Sequence, residues 1–137
     1  MRFVAVAGFL CIGSDLSQSI LVVDDEPMAR NLLRLMLVRE GFDVLEAVDG
    51  QDALNKIDQA TPDLMILDVM MPGISGIEVC KKLRLREALA DLPIMMLSAR
   101  TDMDSVEEGL AAGATKYLTK PISADELSHQ VRKILEN

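Results

Sequence analysis

Aromatic residues are scarce in this sequence of 137 residues: they make up 3% of it, and tryptophan is missing, although half of the residues are hydrophobic. The core is therefore expected to be aliphatic, built from leucine, isoleucine, valine, alanine and the nine methionines. The two cysteines, Cys11 and Cys80, provide neither a disulfide framework nor the spacing of a metal site. Cys80 falls within an amphipathic helical pattern, which predicts a buried thiol in a reducing, cytoplasmic compartment.

A surplus of basic residues is also missing. The formal net charge is −8, which argues against direct nucleic-acid binding because phosphate contacts need a basic surface. An acidic chain suits a cation ligand or a basic partner surface better. No apolar run reaches the roughly 20 residues that a membrane-spanning helix needs, so no membrane association is expected. The length suffices for one domain with a substantial core.

One apolar run stands apart from the rest. Residues 3–13 follow Arg2 and superficially resemble the start of a signal peptide, but no cleavage site of small residues is clearly placed after them. We expect residues 1–18 to be a flexible extension or the product of a mis-assigned gene start, and residues 19–137 to form the domain. An intact Met1 in the native protein, together with protected amides in this segment, would contradict that expectation.

The remainder of the chain alternates between short apolar segments and amphipathic helical patterns. Strands are predicted at five places, residues 20–23, 42–48, 64–67, 94–98 and 115–119. Such alternation predicts a parallel sheet with helices on both faces, joined by right-handed crossovers. The three almost purely apolar strands suit its centre, and the more polar second and fifth strands suit its edges. The expected fold is α/β, a flavodoxin-like doubly wound five-stranded sheet of order 2-1-3-4-5.

Two helical patterns allow a prediction of the buried face. In the first helix the apolar stripe follows the spacing of one helical face, and it comprises Ala29, Leu32, Leu33, Met36 and Leu37. In the fourth helix, Val106 and Leu110 are expected on the inner side. His129, among polar neighbours in the last helix, is expected to be a solvated surface residue.

Asp68 follows the central apolar run at residues 64–67 and precedes a turn built from Pro72 and two glycines. Alone, it is explained as well by a turn cap as by a ligand site. In the predicted fold, however, strands one and three end side by side, which brings Asp24, Asp25 and Asp68 together. Three adjacent carboxylates raise one another's proton affinity unless a cation neutralises them, and Mg²⁺ is the natural cation for carboxylate oxygens.

Strand four ends at Ser98 and strand five at Lys120. Taken singly, Ser98 is explained by a helix cap and Lys120 by a solvated surface charge. Together with the three acids, they supply what phosphoryl transfer requires: a nucleophile, a metal ion, a cation for the phosphoryl oxygens and a hydroxyl donor.

Four segments closely resemble the receiver domain of two-component response regulators. They are residues 21–26, 63–73, 97–99 and 118–121. The resemblance covers residues 19–137, and its motifs occur in the right order. It implies a signalling switch rather than an enzyme with an external substrate, although the domain would catalyse its own phosphorylation and slow dephosphorylation.

The resemblance also implies roles for single residues. Asp68 would be the phosphoacceptor, and Mg²⁺ would be held by Asp24, Asp25, Asp68 and the backbone carbonyl of Met70. Lys120 would pair with the phosphoryl group, and its bond to Pro121 would be cis, which arbitrary X-Pro bonds adopt in only about 5–6% of cases.

The family further implies a switch. The Ser98 hydroxyl would move towards the phosphoryl oxygens, which would leave room for Tyr117 to turn inward. The donor would be a histidine kinase or a histidine phosphotransfer protein. A downstream effector would bind the face formed by helix four, strand five and helix five, and a homodimer on phosphorylation is compatible with the family. Met70 and Arg100 occupy the positions that tune dephosphorylation, and neither suits water activation, so a long-lived phosphoryl group is expected.

Rival functions fit the sequence less well. A flavodoxin needs a hydroxyl-rich phosphate loop where this chain has Asp24 and Asp25, which would repel a flavin phosphate. Dinucleotide and nucleoside triphosphate sites lack their glycine-rich loops. An aspartate-based phosphatase needs a general acid where Met70 stands. A degenerate receiver acting only as a fixed interaction module would be expected to lose one of the acids or the lysine.

Overall fold

The computed structural model describes residues 17–136. Strands and helices alternate through them as β1 (Ser19–Val23), α1 (Pro27–Arg39), β2 (Asp43–Ala47), α2 (Gly50–Gln59), β3 (Leu64–Asp68), α3 (Gly76–Arg84), β4 (Ile94–Ser98), α4 (Met103–Ala111), β5 (Lys116–Thr119) and α5 (Ala124–Leu135). The alternation predicted from the sequence is confirmed, with every predicted strand end within one residue of the observed one. Residues 1–16 lie outside the described residues, and the expectation of an extension there stays a prediction.

The five strands form one parallel sheet in the order β2-β1-β3-β4-β5. The predicted fold and strand order are therefore confirmed. The register of the two central strands pairs Val23 with Leu67. Asp24 and Asp68, the residues that follow this pair along the chain, consequently lie at the same level at the carboxyl edge of the sheet.

The strands at the centre of the sheet separate two hydrophobic layers. Every residue of β3 is buried, as expected for a strand covered on both faces. Leu64 and Ile66 pack with the inner residues of α1 and α5. Met65 and Leu67 face the opposite layer, where α2 and α3 supply most of the apolar side chains. Cys80 is part of that second layer, which confirms its prediction as a buried thiol.

Two predictions about helix faces are wrong in part. In α1, Leu33 and Leu37 are buried and Met36 packs against the same layer, but Leu32 is 54% exposed and lies at the edge of the buried stripe. Leu32 instead lines an apolar depression between α1 and the segment around Pro121. Leu110 is 47% exposed, because the residue that α4 buries against the sheet is Gly109.

The turn after β3 depends on a close approach of two backbone segments. The amide of Gly76, the first residue of α3, donates to the carbonyl oxygen of Val69 at 2.9 Å. A Cβ atom at position 76 would lie 2.2 Å from the carbonyl oxygen of Asp68. Only glycine fits there, and it holds the start of α3 directly beside the end of β3, the point from which the Asp68 side chain projects.

Candidate functional site

The end of β1 provides two acids that are not the cap of the following helix. The Glu26 side chain caps α1 by accepting from the amides of Met28 and Ala29, and Pro27 occupies the first turn. Asp24 is 1% exposed, and its Oδ1 accepts from the Glu26 amide at 2.9 Å. The cap of α1 is therefore Glu26, and neither acid of the pair serves that purpose.

Asp24, Asp25 and Asp68 converge as the sequence predicted. Each offers one carboxylate oxygen, and these three oxygens lie within 4.8 Å of one another. Asp24 and Asp68 are buried while Asp25 is exposed, so the cluster is open on one side. Three hard oxygen donors with an open side fit a cation such as Mg²⁺, which retains several of its waters.

The pKa of Asp68 is raised from its usual value to about 6. Burial is the largest cause, because the surroundings of a carboxylate that is 7% exposed penalise its charged form. Lys120 opposes the shift, and the charges of Asp24 and Asp25 add to it. Repulsion between the acids, the cause expected from the sequence, contributes less to this raised pKa than burial does.

Lys120 lies inside this acidic cluster. Its Nζ is 3.0 Å from Oδ2 of Asp24 and 3.7 Å from Oδ1 of Asp68. Its side chain is 27% exposed, so the alternative of a solvated surface charge is wrong. The peptide bond between Lys120 and Pro121 is cis.

Ser98 is fully buried at the end of β4. Its Oγ accepts from the amide of Arg100 at 3.0 Å, and its backbone carbonyl accepts from the amide of Lys120 at 2.8 Å. The cap of α4 is Asp102, which excludes the helix-cap explanation for Ser98. The ends of β4 and β5 are thus joined at the residues that the sequence singled out.

Tyr117 is half-buried, and its ring packs against the hydrophobic layer on the α2 and α3 side of the sheet. Its hydroxyl donates to the carbonyl oxygen of Arg100 at 2.9 Å. A Cβ atom at Gly109 would lie 2.8 Å from Cδ2 of Tyr117. The ring therefore lies under α4 because position 109 has no side chain.

Met70 and Arg100 are the two positions expected to tune dephosphorylation. Met70 is 56% exposed, while its amide lies 3.4 Å from Oδ1 of Asp68. The Arg100 guanidinium pairs with Asp102, with Nε 3.1 Å from Oδ1. His129 is exposed on α5, as predicted.

Sequence reasoning missed Arg30 and Glu46. Nη1 of Arg30 donates to the carbonyl oxygen of Asp24 at 2.7 Å, and its Nε donates to Oε1 of Glu46 at 3.0 Å. The only sequence signal was an arginine off the apolar stripe of α1, one and a half turns beyond the acid pair. That signal does not show which strand the guanidinium contacts.

The fold and this cluster together define a class of protein. The family model for the response regulator receiver domain matches residues 20–132. The chain belongs to that family, and it is a receiver domain of two-component response regulators. The resemblance stated from the sequence is thereby confirmed.

Known relatives agree with this assignment. The chain is 45% identical over 120 residues to the alkaline phosphatase synthesis transcriptional regulatory protein PhoP of Bacillus subtilis, covering 88% of this chain and 49% of PhoP. A putative response regulator from Chloroflexus aurantiacus matches with a TM-score of 0.85 and 38% identity, over 88% of this chain and 99% of that one. The chemotaxis protein CheY4 of Vibrio cholerae matches with a TM-score of 0.83 and 34% identity, over 87% and 99%.

The chain spans about half the length of the curated relatives it matches. Among residues 17–136, none of the helices has both the length and the apolar character to cross a membrane.

Proposed function

We propose that this receiver accepts a phosphoryl group on Asp68 from the phosphohistidine of a histidine kinase or a histidine phosphotransfer protein. The observation that supports this most directly is the position of the Asp68 carboxylate. It is buried at the end of a rigid strand, with Asp24, Asp25 and Lys120 around it. Lys120 favours the ionised form of this buried carboxylate, which is the form that can act as a nucleophile.

The transfer is a simple displacement. An Asp68 carboxylate oxygen forms a bond to phosphorus while the bond between phosphorus and the imidazole nitrogen of the donor breaks. The imidazole keeps the electron pair, and the product is an acyl phosphate on Asp68. Lys120 then faces added negative charge, and its ammonium is close enough to contact a phosphoryl oxygen. Catalysis consists mainly of positioning and charge neutralisation.

Asp24, Asp25, Asp68 and the backbone carbonyl of Met70 would hold Mg²⁺, to which their oxygen donors are suited. The ion would offset the charge on the phosphoryl oxygens during transfer. In its absence Lys120 is the cation that contacts both buried acids.

Phosphorylation would shift a two-state surface. Ser98 Oγ would exchange its contact with the Arg100 amide for a phosphoryl oxygen, which would rearrange the segment between β4 and α4. Tyr117, bonded to the Arg100 carbonyl, would follow. The face of α4, β5 and α5 would then bind a downstream effector or a second copy of the chain. We expect this to take place in the cytoplasm, where a histidine kinase would transfer the phosphoryl group.

The test is labelling by acetyl phosphate with Mg²⁺, followed by intact-mass spectrometry. The wild-type protein should gain the mass of one phosphoryl group, and Asp68→Asn should gain none. Asp58→Asn is the matched control, because Asp58 is an exposed acid on α2 that pairs with Arg86, and it should label as the wild type does. Full labelling of Asp68→Asn would refute the assignment, because another residue would then be the phosphoacceptor. A wild type that gains no mass would indicate a receiver that acts as a fixed interaction module.

The lifetime of the phosphoryl group tests the two variable positions. Because neither Met70 nor Arg100 is an acid or an amide suited to orient an attacking water, we expect the acyl phosphate to persist well beyond seconds in Mg²⁺. Met70→Asn should shorten the lifetime by placing an amide beside the phosphoryl group. Loss of the label from the wild type within seconds would contradict this expectation.

A further inference from the structure

Arg30 joins α1 to the ends of two strands. It lies in the second turn of α1, and its side chain is only 15% exposed. From there Nη1 donates to the backbone carbonyl of Asp24 at 2.7 Å. The same guanidinium donates through Nε to Glu46, which is on the edge strand β2. Both bonds are charge-assisted, and the rigid fork of the guanidinium fixes the direction of each.

Glu46 is itself held from several sides. Its register partner in the sheet is Val22, two residues before Asp24. Oε2 of Glu46 lies 3.5 Å from Nε of Arg34, and its backbone carbonyl accepts from Nζ of Lys56. Glu46 is therefore a fixed anchor for Arg30.

These contacts fix the point at which the acid pair leaves the sheet. The amide of Asp24 donates to the carbonyl of Ala47 at 3.2 Å, and the carbonyl of Asp24 accepts from Arg30. That carbonyl belongs to the peptide unit linking Asp24 to Asp25. Its orientation determines where the exposed Asp25 carboxylate stands relative to the buried Asp24 and Asp68.

We propose that Arg30, anchored by Glu46, is a positioning residue for the divalent-cation site. It contacts no carboxylate of the site and acts through the Asp24–Asp25 peptide, holding the turn so that the three carboxylates converge. This inference rests on the proposed function, because it assumes that the acidic cluster binds Mg²⁺. Groups that orient metal ligands typically change metal affinity about 10–100-fold when they are removed.

Positioning and simple electrostatics predict opposite changes in Mg²⁺ affinity when Arg30 is replaced. A guanidinium near a cation site repels the cation, so removing its charge should tighten Mg²⁺ binding if charge alone mattered. If Arg30 acts by positioning, removing it should weaken binding instead. Arg30→Gln separates the two effects, because glutamine removes the charge and cannot bridge Asp24 and Glu46 as the guanidinium does.

The experiment measures the Mg²⁺ dissociation constant by calorimetry for the unphosphorylated protein, with unfolding curves recorded alongside. We expect Arg30→Gln to weaken Mg²⁺ binding about 10-fold or more. Arg30→Lys should lie between this variant and the wild type, since one ammonium keeps the charge but cannot reproduce the two-directional contact. Arg86→Gln is the matched control: the guanidinium of Arg86 pairs with Asp58 on α2 and not with Glu46, and this variant should bind Mg²⁺ within about twofold of the wild type.

A second readout uses acetyl phosphate labelling. Arg30→Gln should need more Mg²⁺ for half-maximal labelling but reach the wild-type extent at saturation. Binding of Mg²⁺ by Arg30→Gln as tight as, or tighter than, the wild type would overturn the inference and leave the proposed function intact. Failure of the wild type itself to bind Mg²⁺ would overturn the proposed metal site and the inference with it. Should Arg30→Gln not fold, Arg30→Lys and Glu46→Gln decide the matter by the same measurement.

Discussion

The two helices α3 and α4 lie on the same side of the sheet but are packed very differently. In α3, five of nine residues are buried, and the helix begins in contact with the end of β3. In α4, which has the same length, Gly109 alone is buried, and the neighbouring β5 has no buried residue. The part of the domain that holds Asp68 is thus rigidly packed. The part expected to change on phosphorylation is held by few buried residues, as an element with two states of similar free energy requires.

The largest expected effect is the difference in stability loss when a leucine is replaced by alanine in α3 and in α4. Leu83→Ala in α3 removes a fully buried side chain and should lower the free energy of unfolding by about 2–5 kcal/mol. Leu110→Ala in α4 truncates a side chain that is 47% exposed and should cost less than about 1 kcal/mol. Urea unfolding of both variants measures the difference. Equal losses would show that α4 is packed as firmly as α3.

Asp68 gives the next largest effect, because its pKa is higher in the folded state, at about 6, than in an unfolded chain. The stability that this group contributes is therefore present below about pH 4 and is lost as the pH rises through about 6. At pH 7 without Mg²⁺, the ionised carboxylate costs up to about 3 kcal/mol. Asp68→Asn should be more stable than the wild type at pH 7, by at most this amount because Lys120 loses a partner.

The decisive measurement is the pH dependence of the difference in unfolding free energy between Asp68→Asn and the wild type. The advantage of Asp68→Asn should vanish near pH 4, where the wild-type carboxyl is protonated, and should shrink at pH 7 when Mg²⁺ stabilises the wild type. Asp52→Asn is the opposite control. The backbone amide of Val48 is the main cause that lowers the pKa of Asp52, so this variant should be less stable than the wild type at pH 7. An advantage of Asp68→Asn that did not change with pH would contradict the assigned cause.

The sequence predicted the strand ends better than it predicted side-chain contacts and the buried faces of helices. The positions of Asp68 and Ser98 followed from strand ends, because the strands are short apolar runs with clear boundaries and parallel strands end at one edge. The partners of Arg30 did not follow from the sequence, since one lies just after β1 and the other on β2, and both contacts depend on the direction of one long side chain. Leu32 and Leu110 fit an apolar periodicity, but periodicity does not show how wide a row a helix buries.

The smallest expected effect concerns Gly109, the residue through which α4 contacts Tyr117. Glycine inside a helix normally costs up to about 1 kcal/mol relative to alanine, so Gly109→Ala would stabilise a helix with free space at that position. Here the added Cβ would meet Cδ2 of Tyr117 at 2.8 Å and Sδ of Met96 at 2.9 Å. We expect Gly109→Ala to displace the ring and to lower the free energy of unfolding by about 1–2 kcal/mol.

A double-mutant cycle isolates the ring as the cause. In a Tyr117→Ala background the ring is gone and the thioether of Met96 has space to move, so Gly109→Ala should there be neutral or stabilising by up to about 1 kcal/mol. Since the protein has one tyrosine and no tryptophan, tyrosine fluorescence in the single variant reports the displaced ring directly. A loss of stability that is the same in both backgrounds would mean that α4 resists the added methyl through its backbone. In that case α4 would be as tightly held as α3, and Tyr117 could not move beneath it without moving the whole helix.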